Sequence, residues 1–361
     1  FGGIEGGYGT AAIFDNDVIG NTWNQSDNKG STKDNPYLIE SVGHLKYLIE
    51  QVEAGKTYVD KFFKLTTDIK VTADTWTPIG ISSAKPFSGN FDGGGHTISG
   101  ELKGSFSNDL KYFGFFGYLT TTSSMLIENI HIAANVTWSF ASPEGTSTSY
   151  FGVGGVIGNG STQKITVHNC TMSGEMKISN GSLGYGNLYI GGIIGYTTGT
   201  FKNCSAIGKI NVSCKGQMVM IGGIVGGNYS TTNETKHCIS TSSITLSNTE
   251  HSNTNYAISV GGIGGDIGGK ILGCCNQGSI TGHSLSSVDV GGIAGFAELA
   301  KCHLNRNLTT DFSVTSGETV RLGYLIGLLK NSTVYSCNES VGEQSQWIGS
   351  NPAWTLSLIH I

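Results

Sequence analysis

Aliphatic residues in this chain recur in fixed company: one aliphatic, two small residues, two apolar residues and a glycine. The clearest copies are Val153-Gly154-Gly155-Val156-Ile157-Gly158, Ile190-Gly191-Gly192-Ile193-Ile194-Gly195, Ile221-Gly222-Gly223-Ile224-Val225-Gly226, Val260-Gly261-Gly262-Ile263-Gly264-Gly265 and Val290-Gly291-Gly292-Ile293-Ala294-Gly295. Weaker copies are Phe113-Gly114-Phe115-Phe116-Gly117 and Leu322-Gly323-Tyr324-Leu325-Ile326-Gly327. The first glycine falls at 114, 154, 191, 222, 261, 291 and 323, so successive copies lie 40, 37, 31, 39, 30 and 32 residues apart. Periods of that size mark stacked units. Behind each copy comes a second element, as in Asn129-Ile130, Asn169-Cys170, Asn203-Cys204 and His237-Cys238. An alternating pair follows: Val136 and Trp138, Met176 and Ile178, Ile210 and Val212, Ile244 and Leu246. Alternation at period two is a strand with one buried face. Each unit thus supplies about three strands between polar turns, one coil of a solenoid. The predicted fold is all-β, a right-handed parallel β-helix. About seven coils at the ~4.8 Å strand spacing give a rod of roughly 35 Å. The repeated glycines are expected to permit tight packing and bends within strands.

Six of the eight cysteines, Cys170, Cys204, Cys238, Cys275, Cys302 and Cys337, follow the first glycine of their unit by 11 to 16 residues. They read as a stacked interior column of reduced thiols with Ile130, since free cysteine is among the most buried residue types. Disulfides between neighbours and a metal site are the alternatives. Regular stacking leaves Cβ atoms too far apart for the first, and no Cys-x-x-Cys pair supports the second.

Residues 1–110 differ from the repeats and read as an N-terminal capping region with the first coils. The repeats occupy 111–345, and 346–361 form a C-terminal strand or cap. Leu45, Leu48, Ile49 and Val52 lie at helical spacing between a Ser41 N-cap and a stop at Gly55. A short helix there would cover the open edge of the first coil, which otherwise invites aggregation.

Composition narrows the partners. The 361 residues carry 55 glycines, and only 13% are charged against 38% hydrophobic. A disordered chain has the reverse balance. The net charge is −5, and Arg306 and Arg321 are the only arginines. The nearest basic cluster in sequence, Lys56, Lys61, Lys64 and Lys70, is broken by Asp60 and Asp68, so a nucleic-acid partner is not expected. No apolar run reaches the ~18 residues of a membrane span. No signal peptide opens the chain, so an exported protein would have shed its leader.

The N-terminal part carries a resemblance. Phe63-Lys64-Leu65-Thr66-Thr67-Asp68-Ile69, Trp76-Thr77-Pro78-Ile79-Gly80 and Phe91-Asp92-Gly93-Gly94-Gly95-His96-Thr97-Ile98, with the Val-Gly-Gly-Ile-x-Gly repeats, resemble the GLUG-motif surface proteins of Bacteroides-type gut bacteria. The likeness covers roughly residues 34–330. It implies a β-helix on an exported or cell-surface protein of the kind labelled adhesins, with glycans or host surface proteins as partners. Similar repeats also occur beside immunoglobulin A peptidase domains. Such a peptidase needs His-Glu-x-x-His, a string these residues lack.

Two functions from different classes follow. The first is a non-catalytic, monomeric surface or secreted module without cofactor or metal, binding through a repetitive face. The second is a polysaccharide lyase or glycoside hydrolase with a groove along the helix. Hydrolysis would need two carboxylates flanking the scissile bond. The candidates are Asp92, Asp266 and Asp289, scattered in sequence with no Asp-Asp pair in a strand. Asp92 and His96 flank an Asp-Gly-Gly-Gly stretch whose composition is that of a turn. Trp23, Trp76, Trp347 and Trp354 are candidates for stacking on sugar, with core packing as the alternative for each.

Overall fold

In a computed structural model the chain winds as a parallel β-solenoid. The residues described are 11–15, 17–22, 29–105, 110–140, 150–180, 186–215, 218–249, 258–298, 300–303, 305–308, 311–330 and 333–335. Trp23, Trp347, Trp354, Cys337 and the expected cap at 346–361 lie outside them. One full coil has four walls: Tyr150–Gly154, Ile157–Gly160, Ile165–His168, and a fourth built from Thr171–Met172 with Glu175–Asn180. The glycine motif is therefore two strands hinged at its Gly-Gly pair, where a single strand was expected. Coils stack in parallel and in register. One column holds Phe113, Val153, Ile190, Ile221, Val260, Val290 and Leu322, the first position of every motif copy. The first and second walls are sheets of seven strands, the third has ten and the fourth fourteen.

The second glycine of the motif sets the width of the coil. A Cβ on Gly155 would fall 2.6 Å from Met172 Sδ, one on Gly223 2.1 Å from Ser240 Oγ, and one on Gly262 2.2 Å from Asn276 Cγ. These partners form one interior column of the fourth wall: Ile132, Met172, Ala206, Ser240, Asn276 and Asn307. It turns from apolar to polar along the solenoid. Its buried amides are satisfied within the stack, with Asn276 Nδ2 donating to Asn307 Oδ1 at 3.0 Å, as buried polar groups require.

The corner between third and fourth walls is a left-handed residue in five successive coils. Asn129, Asn169, Asn203, His237 and Gly273 have φ of 55°, 51°, 55°, 52° and 59°. Asparagine and glycine tolerate this region better than most residues. Asn169 Nδ2 donates to Asn129 Oδ1 at 2.8 Å and Asn129 Nδ2 to Asp92 Oδ1 at 2.9 Å, tying one corner to the next.

The residue after each corner points inward, and this places the thiols. Ile130, Cys170, Cys204, Cys238 and Cys274 occupy that position and are buried. The column continues in Asn305, whose Oδ1 accepts from the Cys274 backbone N–H at 2.8 Å. Two assignments in the cysteine column need correction. Cys274 stands where Cys275 was expected, because the corner residue there is Gly273. Cys275 aligns with the outward positions Thr171, Ser205 and Ile239. Cys302 is buried in the third wall, in register with Ile271. The described cysteines are free thiols.

At the N-terminal end, α1 (Val42–Glu53) packs on the first strands of the solenoid, Ala12–Phe14 and Tyr37–Ile39. Ser41 Oγ accepts from the His44 backbone N–H at 3.2 Å as its N-cap. Val42, Leu45, Leu48, Ile49 and Val52 form the buried stripe.

Candidate functional site

The third glycine of the motif brings two outer faces together. A Cβ on Gly195 would lie 2.4 Å from the Val153 nitrogen, and one on Gly226 2.4 Å from the Ile190 nitrogen. The second wall thus folds back against the first until backbone meets backbone, and a seam runs up the solenoid. Two columns flank it. The first wall presents Tyr112, Gly152, Tyr189, Met220, Ser259, Asp289 and Arg321. The second presents Tyr118, Asn159, Tyr196, Gly227, Asp266 and Phe296.

Tyrosines gather at the lower half of this seam. Tyr112 and Tyr118 have ring centroids 5.2 Å apart. Tyr196 lies 5.0 Å from Tyr189, 6.0 Å from Tyr150 and 5.8 Å from Tyr229. Room for this comes from Gly227, where a Cβ would fall 2.6 Å from the Tyr189 ring. Tyr189 is buried under the cluster, whereas Tyr150 and Tyr229 are 51% and 40% exposed. Their rings form a wet aromatic edge with a buried footing, a type of surface suited to recognition.

Two candidate carboxylates sit on the same seam, one coil apart in the strand order. Tyr229 Oη donates to Asp266 Oδ2 at 2.6 Å and also lies 3.3 Å from Tyr189 Oη. Burial pushes the Asp266 carboxyl up to about 7, against the hydrogen bond from Tyr229, which lowers it. Burial also raises Asp289, while its ion pair with Arg321 opposes the rise. Burial raises the phenols of Tyr189, Tyr196 and Tyr229 as well, so they stay protonated donors. Asp266 and Asp289 are 8% and 2% exposed. Both are turned to partners inside the seam, which suits them to orienting phenols rather than to attacking a substrate.

The other sequence candidates stand apart. Asp92 lies on the outer face of the third wall, where Oδ1 accepts from the Gly94 backbone N–H and from Asn129. His96 pairs with Asp68 at 3.1 Å, not with Asp92. A cavity of about 200 Å³ beside Asp92 is lined by Lys33, Lys64, Asn90 and Glu128. Its charges are internally matched, Lys33 with Glu128 at 2.7 Å and Lys64 with Asp92 at 4.0 Å. Trp76 is not available to a ligand: it is buried, stacks on Phe115, and donates its indole N–H to the Gly114 carbonyl at 3.0 Å. Among the described residues no group of three or more His, Cys, Asp or Glu could hold a metal ion. The tyrosine cluster went unread in the sequence, although a signal existed. Tyr112 and Tyr189 directly precede the motif, and Tyr118 and Tyr196 directly follow its last glycine.

Comparisons with known proteins agree with this architecture. Residues 186–211 match the family model described as the GLUG motif. A "Putative Gly-rich membrane protein" from Evansella cellulosilytica is 33% identical over 110 residues, 29% of this chain and 12% of that protein's length. The chain therefore spans only a small part of that relative. The crystal structure of a "putative immunoglobulin A1 protease" from Bacteroides ovatus superposes with a TM-score of 0.59 at 21% identity. That match covers 84% of this chain and 86% of the other, and it speaks for the fold alone. No helix among the described residues is long and apolar enough to cross a membrane. The chain is thus similar to GLUG-motif proteins over one of its repeats, residues 186–211, and shares a parallel β-solenoid fold with the Bacteroides protein.

Proposed function

We propose that the chain is a non-catalytic module of an exported or cell-surface protein that binds glycan polymers along the tyrosine-bearing seam. The observation that carries this reading is the exposed pair Tyr150 and Tyr229, held about Tyr196 on neighbouring coils. Aromatic faces spaced along an axis suit a chain molecule, whose sugar rings present apolar C–H faces in succession. Each contact is weak, and linkage of many contacts supplies avidity. Host surface glycoproteins would offer the same chemistry. The Evansella relative's name and the surface proteins that the sequence resembles support an extracellular or surface setting.

A glycan array, followed by titration of the best binder against Tyr150→Ala and Tyr229→Ala, tests the reading. Each substitution should weaken binding by roughly tenfold, in line with the loss of a central aromatic contact. Unchanged binding in the double variant would remove the seam as the site. The lyase or hydrolase alternative predicts turnover of pectins, mucin glycans or glycosaminoglycans, lost in Asp266→Asn or Asp289→Asn. Such turnover would replace the binding reading.

A further inference from the structure

We infer that the outer face of the third wall, over its upper coils, is a second binding surface, specific for acidic polysaccharide. It goes beyond the seam and stands on different residues. Lys202 and Lys236 are in-register neighbours on adjacent parallel strands, so their side chains leave the same face one strand spacing apart, ~4.8 Å at the backbone. Lys270 and Lys301 are a second in-register pair on the next two coils, in the column of Glu234, two residues before that of Lys236. Like charges set directly opposite across strands are destabilising. Only Lys270 among the four has a carboxylate partner, Glu234 at 3.2 Å. Four cations thus face one carboxylate on a chain of net charge −5.

A fold with acidic residues to spare has left this stack uncompensated, and an external anion is the group that would compensate it. Lysines are point charges without the planar fork that favours phosphate. The strip also presents no aromatic column for stacking bases, the usual companion of basic grooves that hold single strands. Its geometry is a stepped strip of cations, two in one column and two in the column two residues earlier, rising one coil at a time. A linear polymer carrying carboxylate or sulfate at intervals fits that strip, with its axis running obliquely up the solenoid.

Binding of heparin oligosaccharides and polygalacturonate, with dextran as the neutral control, tests the proposal. The wild-type chain should bind both anionic polymers at low ionic strength and lose affinity steeply as salt is added, because exposed charges are screened. Lys202→Gln/Lys236→Gln should bind at least tenfold more weakly while its melting temperature stays level or rises, since a like-charge contact has been removed. Lys56→Gln/Lys61→Gln, away from the strip, should bind as the wild type does. Absence of anionic-polymer binding, or full binding by the Lys202/Lys236 variant, overturns the proposal. Equal competition by duplex DNA would also overturn it, by reducing the strip to an unselective polyanion surface. Loss of binding in Tyr150→Ala/Tyr229→Ala alone would keep the seam and discard the strip.

Discussion

The phenolic hydroxyl of Tyr229 donates to Oδ2 of Asp266 across 2.6 Å, joining a tyrosine that is still partly in solvent to a carboxyl group that is not. Tyr229 follows the second-wall strand of one coil, and Asp266 belongs to the second-wall strand of the next. The bond is therefore a clasp between coils as well as a brace for the aromatic edge.

That clasp predicts a pH dependence. The folded state holds Asp266 at about 7 against an ordinary 3.8, so folding favours the protonated acid. The contribution is present in full below about pH 4 and is lost as pH rises through about 7. Asp266→Asn removes the titration and keeps an acceptor for Tyr229. The variant and the wild type should melt alike near pH 4, with the variant gaining as pH approaches 8, by about 4 kcal/mol at most. A stability difference that stays constant over that range would show that Asp266 keeps its ordinary acidity.

The hinge glycines should be intolerant in proportion to what lies opposite. In Gly223→Ala the new methyl would meet the Gly262 carbonyl and Ser240 Oγ, each at 2.1 Å, at a cost of about 3 kcal/mol or more. Gly155→Ala meets a carbonyl at 2.6 Å and the flexible Met172 side chain, so the loss should be smaller. Thermal denaturation of the two variants gives the order directly, and a reversed order would contradict the packing.

Corner positions offer the opposite experiment. His237 holds φ at 52° where neighbouring coils use asparagine or glycine. His237→Gly should raise stability by about 0.5–1 kcal/mol by relieving the strain. Asn169→Val should lower it by about 2 kcal/mol, as a β-branched residue forced into the same region. Urea titration at constant m-value resolves changes of this size.

Thiol chemistry should separate inward from outward cysteines. Burial raises Cys170 and pushes Cys214 up to about 12, and hydrogen bonds with Cys204 and Cys274, with burial, raise Cys238. Hydrogen bonds with Cys170 and Cys238 lower Cys204, but all four are buried away from reagent. Cys275 is only half-buried. In a Cys337→Ser background, Ellman's reagent should find Cys275 first and the remaining six only after denaturation. Rapid native labelling of Cys170, Cys204 or Cys238 would mean that the interior column is open to solvent.

Much of the coil was legible because its signals are periodic. The aliphatic-Gly-Gly spacing located every repeat, and the α1 stripe from Leu45 to Val52 with its Ser41 cap located the helix to within a residue at each end. Two kinds of feature were hidden. Cys274 and Cys275 are adjacent, and only the positive φ at Gly273 decides which of them turns inward. The basic strip was hidden by distance, since Lys202, Lys236, Lys270 and Lys301 lie about one coil apart in sequence and become neighbours only when the coils stack. Tyr229 and Asp266 were hidden in the same way. Composition alone, with two arginines and a net negative charge, argued against any basic face.

The register of the stack has a mechanical consequence. Between Tyr112 and Ser316 successive coils are joined along four walls at once, and those hydrogen bonds point along the solenoid axis. A pull between the two ends therefore loads a whole rung of bonds together, and the molecule should resist as a stiff rod until one rung fails. A sideways pull on the last coil would load its bonds one after another, and should peel it away at much lower force. Anchored at one end and gripped by a ligand along its side, such a rod would release by peeling, coil by coil.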